Sequence, residues 1–255
     1  AGRLGKADSG LHLLTATDLG TAKILAKELE KTNKERKEIQ EETFLEAESL
    51  LRNERDIENE RVIVLASKIF HPGVIGIAAS KIVDIYHRPT VLIALEKGEG
   101  KGSGRSILKF NLFKAFTNCS SHLIQFGGHA YAAGLSIEEA NVEAFRDAMN
   151  EVGQRFLTDE DLIPEIKLDT ILDLSKIDFP FYKSIALLEP FGAENPVPSF
   201  QSKRVKIKEL KHMGKEKNHL RFRAVQGSGQ IGVIAFNFAS LFESLDISNE
   251  VFDIA

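Results

Sequence analysis

Gln125-Phe126-Gly127-Gly128-His129-Ala130-Tyr131-Ala132-Ala133-Gly134 sets three glycines, small neighbours and one histidine between a helical pattern over residues 111–123 and a strand pattern over 135–137. Glycine permits turns closed to other residues and lets a backbone approach a ligand closely. Two readings follow: a close-approach loop whose His129 presents a ring nitrogen to a phosphate oxygen, or a tight turn capped by His129. A second cluster, Gly98-Glu99-Gly100-Lys101-Gly102-Ser103-Gly104-Arg105-Ser106, lies one supersecondary unit upstream. Two such glycine-opened loops in one domain suit an anion better than two unrelated turns.

Outward from this centre, strands and helices alternate. Residues 61–66 form a β-branched run suited to a buried strand. His71-Pro72-Gly73 punctuates the chain before a helical pattern over 74–86, with Pro72 suited to its first turn. Strand, turn and helix in that order either expose amides to an anion or form a plain connection. A strand over 90–95, the first glycine cluster, the 111–123 helix, the central stretch and an amphipathic helix over 138–156 complete an α/β unit.

Before this unit, a helical pattern runs from Asp18, a candidate N-cap, to about residue 53. Its apolar stripe disappears between residues 30 and 38, so it reads either as one long solvent-bridging helix or as two helices with a break. After the unit come an acidic linker over 158–164 and a short helix over 181–188. A proline- and glycine-rich segment over 188–200 follows, which excludes an interior helix or strand. Alternating runs over 204–210, 220–225 and 230–236 predict a small antiparallel barrel.

Residues 201–224 hold nine Lys or Arg and two Glu. Alternation puts Arg204, Lys206 and Lys208 on one face of a strand, and Arg221 and Arg223 on one face of the next. Such a face either tracks a nucleic-acid backbone or merely blunts strand edges. No aromatic is expected on it, since Phe222 points inward, so the expectation is phosphate attraction with limited base stacking.

Net charge of −4 does not exclude a nucleic-acid partner, because the placement of basic residues decides. A single cysteine, Cys119, excludes an internal disulfide and a cysteine-based zinc site, and suits a reducing compartment. No apolar run is long enough to span a bilayer and no signal-peptide pattern opens the chain, so a cytoplasmic location is expected. The first residue is not methionine and the last five read as a strand, so both ends are expected to be cut.

Gly127-Gly128-His129-x-x-Ala-Ala-Gly134, Ser103-Gly104-Arg105-Ser106 and His71-Pro72-Gly73-Val74-Ile75-Gly76-Ile77-Ala78-Ala79-Ser80 resemble, in this order and combination, the DHH-associated domain of the DHH phosphoesterase superfamily. Within it they look most like the RecJ family of single-stranded-DNA exonucleases. Pro190-Phe191-Gly192 with Asn195-Pro196-Val197-Pro198 resembles the start of that family's oligonucleotide-binding (OB) barrel, although Glu194 stands where members commonly have glycine.

The resemblance implies four parts: 1–17 as the end of a missing DHH domain, 18–57 as a long connecting helix, 58–157 as the DHH-associated α/β domain, and 158–255 as an OB-fold domain. It implies a 5′-to-3′ exonuclease of DNA repair and recombination whose Mn²⁺ or Mg²⁺ is bound by the missing domain. This chain alone is then expected to bind and not to cut. The site carried over is His129 as catalytic group, with Arg3, Ser103, Arg105, Ser106, Gly127 and Gly128 at the DNA 5′ end and no metal ligand. Arg105 can grip phosphate bidentately or form a surface salt bridge. Single-stranded DNA is the expected partner, with single-strand-binding protein and a helicase beside it. A non-catalytic nucleic-acid-binding module and a phosphoesterase for short oligonucleotides remain the alternatives.

Overall fold

A computed structural model describes all residues except 1, 6, 55–58, 193, 243–244, 246 and 248–249. The chain forms two compact units, Ala1–Pro164 and Glu165–Ala255.

The first unit begins with α1 (Asp8–Leu14) and α2 (Leu19–Glu54). Asp18 caps α2 by accepting from the Thr21 amide at 2.8 Å. The helix is unbroken across its polar middle, where Lys31–Glu35 and Lys34–Glu38 pair at i,i+4 spacing. Such exposed pairs add only about 0.3–0.5 kcal/mol each. Its last turns are anchored by apolar packing instead, through buried Phe44, Ala47 and Leu51. The helix end expected at residue 57 lies outside the described residues.

A mixed sheet follows, built from β1 (Ile63–Ser67), β2 (Thr90–Glu96), β3 (Glu99–Arg105), β4 (Gln125–Gly128) and β5 (Ala132–Glu138) in the order β1-β2-β3-β5-β4. Between β1 and β2 runs α3 (Ile75–Tyr86); α4 (Leu112–Asn118) and α5 (Val142–Phe156) are the other helices. Parity divides the sheet. Val64, Val91, Ile93, Leu135 and Ile137 pack with Phe116, Phe145 and Met149 of α4 and α5. Ile63, Leu65, Leu92 and Ala94 pack on the other side with α3 and the end of α2. Removing one of the buried aromatic rings would cost about 3–5 kcal/mol.

Neither glycine cluster is a loop. Residues 99–105 are a central strand, and 125–128 and 132–138 pair as a hairpin. The reason is packing. A Cβ at Gly100, Gly102 or Gly104 would lie 2.5–2.7 Å from Ile93, Leu135 or Leu112. These alternate glycines let large neighbours fold over the strand, while the intervening Lys101, Ser103 and Arg105 face the other way. The tight turn from β2 to β3 is Lys97-Gly98, with φ of 53° and 85°, the doubly left-handed form that two-residue hairpins favour.

The second unit is a sheet in the order β10-β7-β8-β9, made by β7 (Phe200–Met213), β8 (His219–Gln226), β9 (Gly229–Ala235) and β10 (Phe252–Ile254); β6 (Thr170–Ile171) pairs alongside β7. Two short helices, α6 (Phe179–Ala186) and α7 (Ala239–Phe242), complete it. Val205, Ile207, Leu220, Phe222 and Ala224 form its core with Leu174 and Ala239. Arg204 and Glu209 both have φ of 55°, and the register shifts beside each. These bulges bend the long β7, as a small OB-type sheet requires. Strand pairing among the described residues does not close the barrel.

Candidate phosphate and nucleic-acid site

Arg105 ends β3 on the face shared with Ser103 and Lys101. Its Nη1 donates to Ser103 Oγ at 3.1 Å and to the Gly104 carbonyl at 2.7 Å. The first turn of α3 lies directly on this pair: a Cβ at Gly76 would sit 2.8 Å from Arg105 Nη2 and 2.9 Å from Ser103 Oγ. Gly73, just before the helix, makes room for the backbone of Arg3 in the same way, since a Cβ there would collide with the Arg3 carbonyl oxygen. Three segments distant in sequence therefore share one corner: Arg3, residues 73–76 and the end of β3. Pro72 lies outside α3, in a turn whose His71 carbonyl accepts from the Val74 and Ile75 amides.

This corner is unbalanced in charge. Arg105 is half-buried, and desolvation lowers its pKa first, with the positive charge of Arg3 adding to the effect. Among the described residues no carboxylate forms an ion pair with either guanidinium. The N-terminus of α3 has no side-chain cap, and no acceptor among the described residues takes the Gly76 amide. Two guanidinium groups beside the positive end of a helix dipole repel one another unless an anion enters. That arrangement can take a phosphate through charge-assisted hydrogen bonds.

The β4–β5 hairpin borders the same corner. Arg105 pairs with Ala132 across β3 and β5, and the His129 amide donates to the Ala132 carbonyl at 2.8 Å. Both residues thus adjoin Ala132, and His129 is exposed at the hairpin tip. Gly128 has φ of 142°, and a Cβ there would lie 2.5 Å from Ala132 O and Ala133 Cα. Only glycine fits. Gly127 is different: it pairs with Gly134, which pairs with Ser103, and nothing lies within 4 Å of its would-be Cβ. Ala132, Gly134 and Gly127 are an exposed, nearly side-chain-free floor beside Ser103 and Arg105. Ser106 donates its hydroxyl to the Phe110 carbonyl at 2.7 Å and its amide to Tyr131 O at 3.1 Å, tying the corner to the hairpin.

In the second unit Lys206, Lys208, Arg221 and Arg223 are all exposed on the face opposite the core, and so is Arg204 in its bulge. Lys208 pairs directly with Arg223, whose Nε is held by Glu209 at 3.2 Å. The bulge at Glu209 also brings Lys211 opposite Arg221, a member of the face that simple alternation misses. Sequence reasoning likewise missed Gly76, whose role is to admit Arg105, and Lys101, which shares the Ser103 face and lines a cavity of about 740 Å³ with His71 and Lys68. Among the described residues no three His, Cys, Asp or Glu gather to hold a metal ion.

Residues 59–154 match a DHHA1 domain and residues 168–255 match a RecJ OB domain. The chain is 34% identical over 246 residues to the single-stranded-DNA-specific exonuclease RecJ of Bacillus subtilis, covering 96% of this chain and 31% of that protein. It is 31% identical over 246 residues to the Escherichia coli protein of the same name, covering 93% of this chain and 42% of the other. The crystal structure of RecJ in complex with Mg²⁺ from Thermus thermophilus superposes with a TM-score of 0.75 at 32% identity, over 92% of this chain and 35% of that one. The Mn²⁺ complex gives 0.73 at 31% identity. The chain therefore spans a third to under half of the relatives it matches.

Proposed function

Since this chain belongs to the RecJ family, carrying its DHHA1 and OB domains in order, we propose that it is the substrate-binding part of a 5′-to-3′ single-stranded-DNA exonuclease of DNA repair and recombination. The observation that carries this reading is the guanidinium of Arg105, fixed by Ser103 and Gly104 beside Arg3 and the Gly76 amide and paired with no carboxylate among the described residues. Arg105, Arg3 and Ser103 hold the 5′-terminal phosphate. Ser106, Gly127 and Gly128 shape the corner rather than grip. His129 donates a hydrogen bond to the scissile or an adjacent phosphate, which favours the extra negative charge that develops there.

Phosphodiester hydrolysis uses divalent ions to activate water and neutralise charge. Solved RecJ structures carry Mg²⁺ or Mn²⁺, and such an ion would be held by a part of the parent outside this chain. In the second unit Arg204, Lys206, Lys208, Arg221 and Arg223 attract the backbone of the trailing strand. That extended face favours a polymer over a short oligonucleotide or a small phosphorylated molecule. Single-strand-binding protein and a helicase are partners of the parent, which acts in the cytoplasm.

The test is binding of the purified chain to oligothymidylates of increasing length. Affinity should climb with length, fall steeply with salt and be accompanied by no hydrolysis in Mn²⁺. Cleavage by this chain alone, or affinity indifferent to length and salt, contradicts the proposal.

A further inference from the structure

The outer face of the second unit does not end in charge. Along β9 the outward positions are Gln230, Gly232 and Ile234, followed by Phe236 just past the strand end. Their partners on β8 are Val225, Arg223 and Arg221. The rows across the face are then Lys208–Arg223–Gly232, Lys211–Arg221–Ile234, and Met213–His219 with Phe236 beside His219. Phe236 is 66% exposed and Ile234 52%. The expectation of a cationic face without an aromatic is therefore wrong: the ring arrives from the strand end, where period-two alternation does not reach.

Phe236 is exposed yet held. Its ring meets the His219 imidazole at 5.4 Å between centroids and 74° between planes, an edge-to-face contact. His219 is itself fixed: its Nδ1 accepts from the Asn237 amide at 3.0 Å, and Gly214 leaves room for the ring, since a Cβ there would lie 3.1 Å from Cδ2. Asn237 takes φ of 61°, and its Oδ1 accepts from Asn218 Nδ2 at 3.2 Å, closing the turn around the imidazole. An unattached surface phenylalanine would sample rotamers; this one rests against a pinned imidazole while staying largely exposed. The neighbouring row supplies Lys211 and Arg221, neither of which forms an ion pair with a carboxylate among the described residues. Two rows on one strand face are about 7 Å apart, close enough for one nucleotide to span both.

We propose that Phe236, propped by its contact with His219, is a base-stacking platform that takes an unpaired nucleobase of the strand whose phosphates lie over Lys211 and Arg221. The proposal rests on the reading of the second unit as a single-stranded nucleic-acid track and adds a subsite that reads bases, where the cationic residues read only phosphates. A protein-docking role for the same patch predicts no dependence on bases.

The sequence contains no tryptophan, so Phe236→Trp in the full chain introduces a single reporter. Its fluorescence should be quenched by oligothymidylate and not by an abasic oligomer of equal length. Phe236→Ala and Phe236→Leu should weaken binding to oligothymidylate roughly 5- to 100-fold and leave abasic binding and the salt slope unchanged. Equal weakening for both oligomers, or none for either, overturns the platform while the wild-type salt dependence still supports the track. Absence of salt-dependent binding by the wild type overturns both.

Discussion

Gly76→Ala separates folding from phosphate binding more cleanly than any other single substitution in the first unit. The new Cβ would lie 2.8 Å from Arg105 Nη2 and 2.9 Å from Ser103 Oγ, and the third-nearest atom is Arg105 Cζ at 3.4 Å. All three belong to side chains, two of them at the end of a long flexible one, so Arg105 swings aside and the backbone stays. Alanine in place of a helical glycine gains up to about 1 kcal/mol, offset by loss of one or both Arg105 hydrogen bonds to Ser103 and Gly104, about 1 kcal/mol each. Stability should therefore stay within about 1 kcal/mol of wild type. Function should not: losing a charge-assisted phosphate contact worth about 1.5–3 kcal/mol lowers kcat/KM of the complete parent enzyme on 5′-phosphorylated DNA roughly 10- to 150-fold. Urea unfolding of the chain and steady-state kinetics of the parent are the two assays. A variant destabilised well beyond about 1 kcal/mol, or one of unchanged kcat/KM, would show that Gly76 does not serve to admit a phosphate-holding Arg105.

Other substitutions probe separate links. Gly128→Ala meets backbone at 2.5 Å and a φ of 142°, whereas Gly127→Ala meets nothing; the first should cost at least about 2 kcal/mol and the second well under 1, measured by chemical denaturation. Burial, and to a smaller degree Glu151, push the Cys119 thiol up from 9.0 to about 11. The raised value means that its contribution is intact below pH 9 and lost between pH 9 and about 11, up to about 3 kcal/mol. Wild type should lose that much relative to Cys119→Ala over this interval, and parallel pH curves would show the thiol to be irrelevant. His129→Ala in the parent should cut turnover by at least about 10² while metal titrations stay as in wild type; unchanged turnover removes the imidazole from the site.

Much of the fold can be read from pattern because local signals agree with tertiary structure. Asp18 caps the helix it precedes, the β-branched run after residue 61 is a buried strand, and alternation around Phe222 places the second core correctly. What the pattern conceals is glycine's purpose. At 100, 102 and 104 glycine clears space for Ile93, Leu135 and Leu112, a reason invisible until those side chains are in place, and so a strand reads as a loop. The candidate site is legible in Arg105, Ser103 and His129, but not in Gly76, whose meaning depends on which side chain it faces. Lys211 escapes because a bulge resets the register, and Phe236 because it stands beyond the end of its strand.

We propose the corner of Arg105, Arg3, Ser103 and the start of α3 as the seat of a terminal phosphate. The affinity of this chain for one oligonucleotide, with and without a 5′-phosphate, tests it directly in wild type and Arg105→Ala. Wild type should prefer the phosphorylated strand by roughly tenfold or more, and Arg105→Ala should bind the two alike. Equal affinities in wild type, or a preference that survives loss of the guanidinium, would contradict the account.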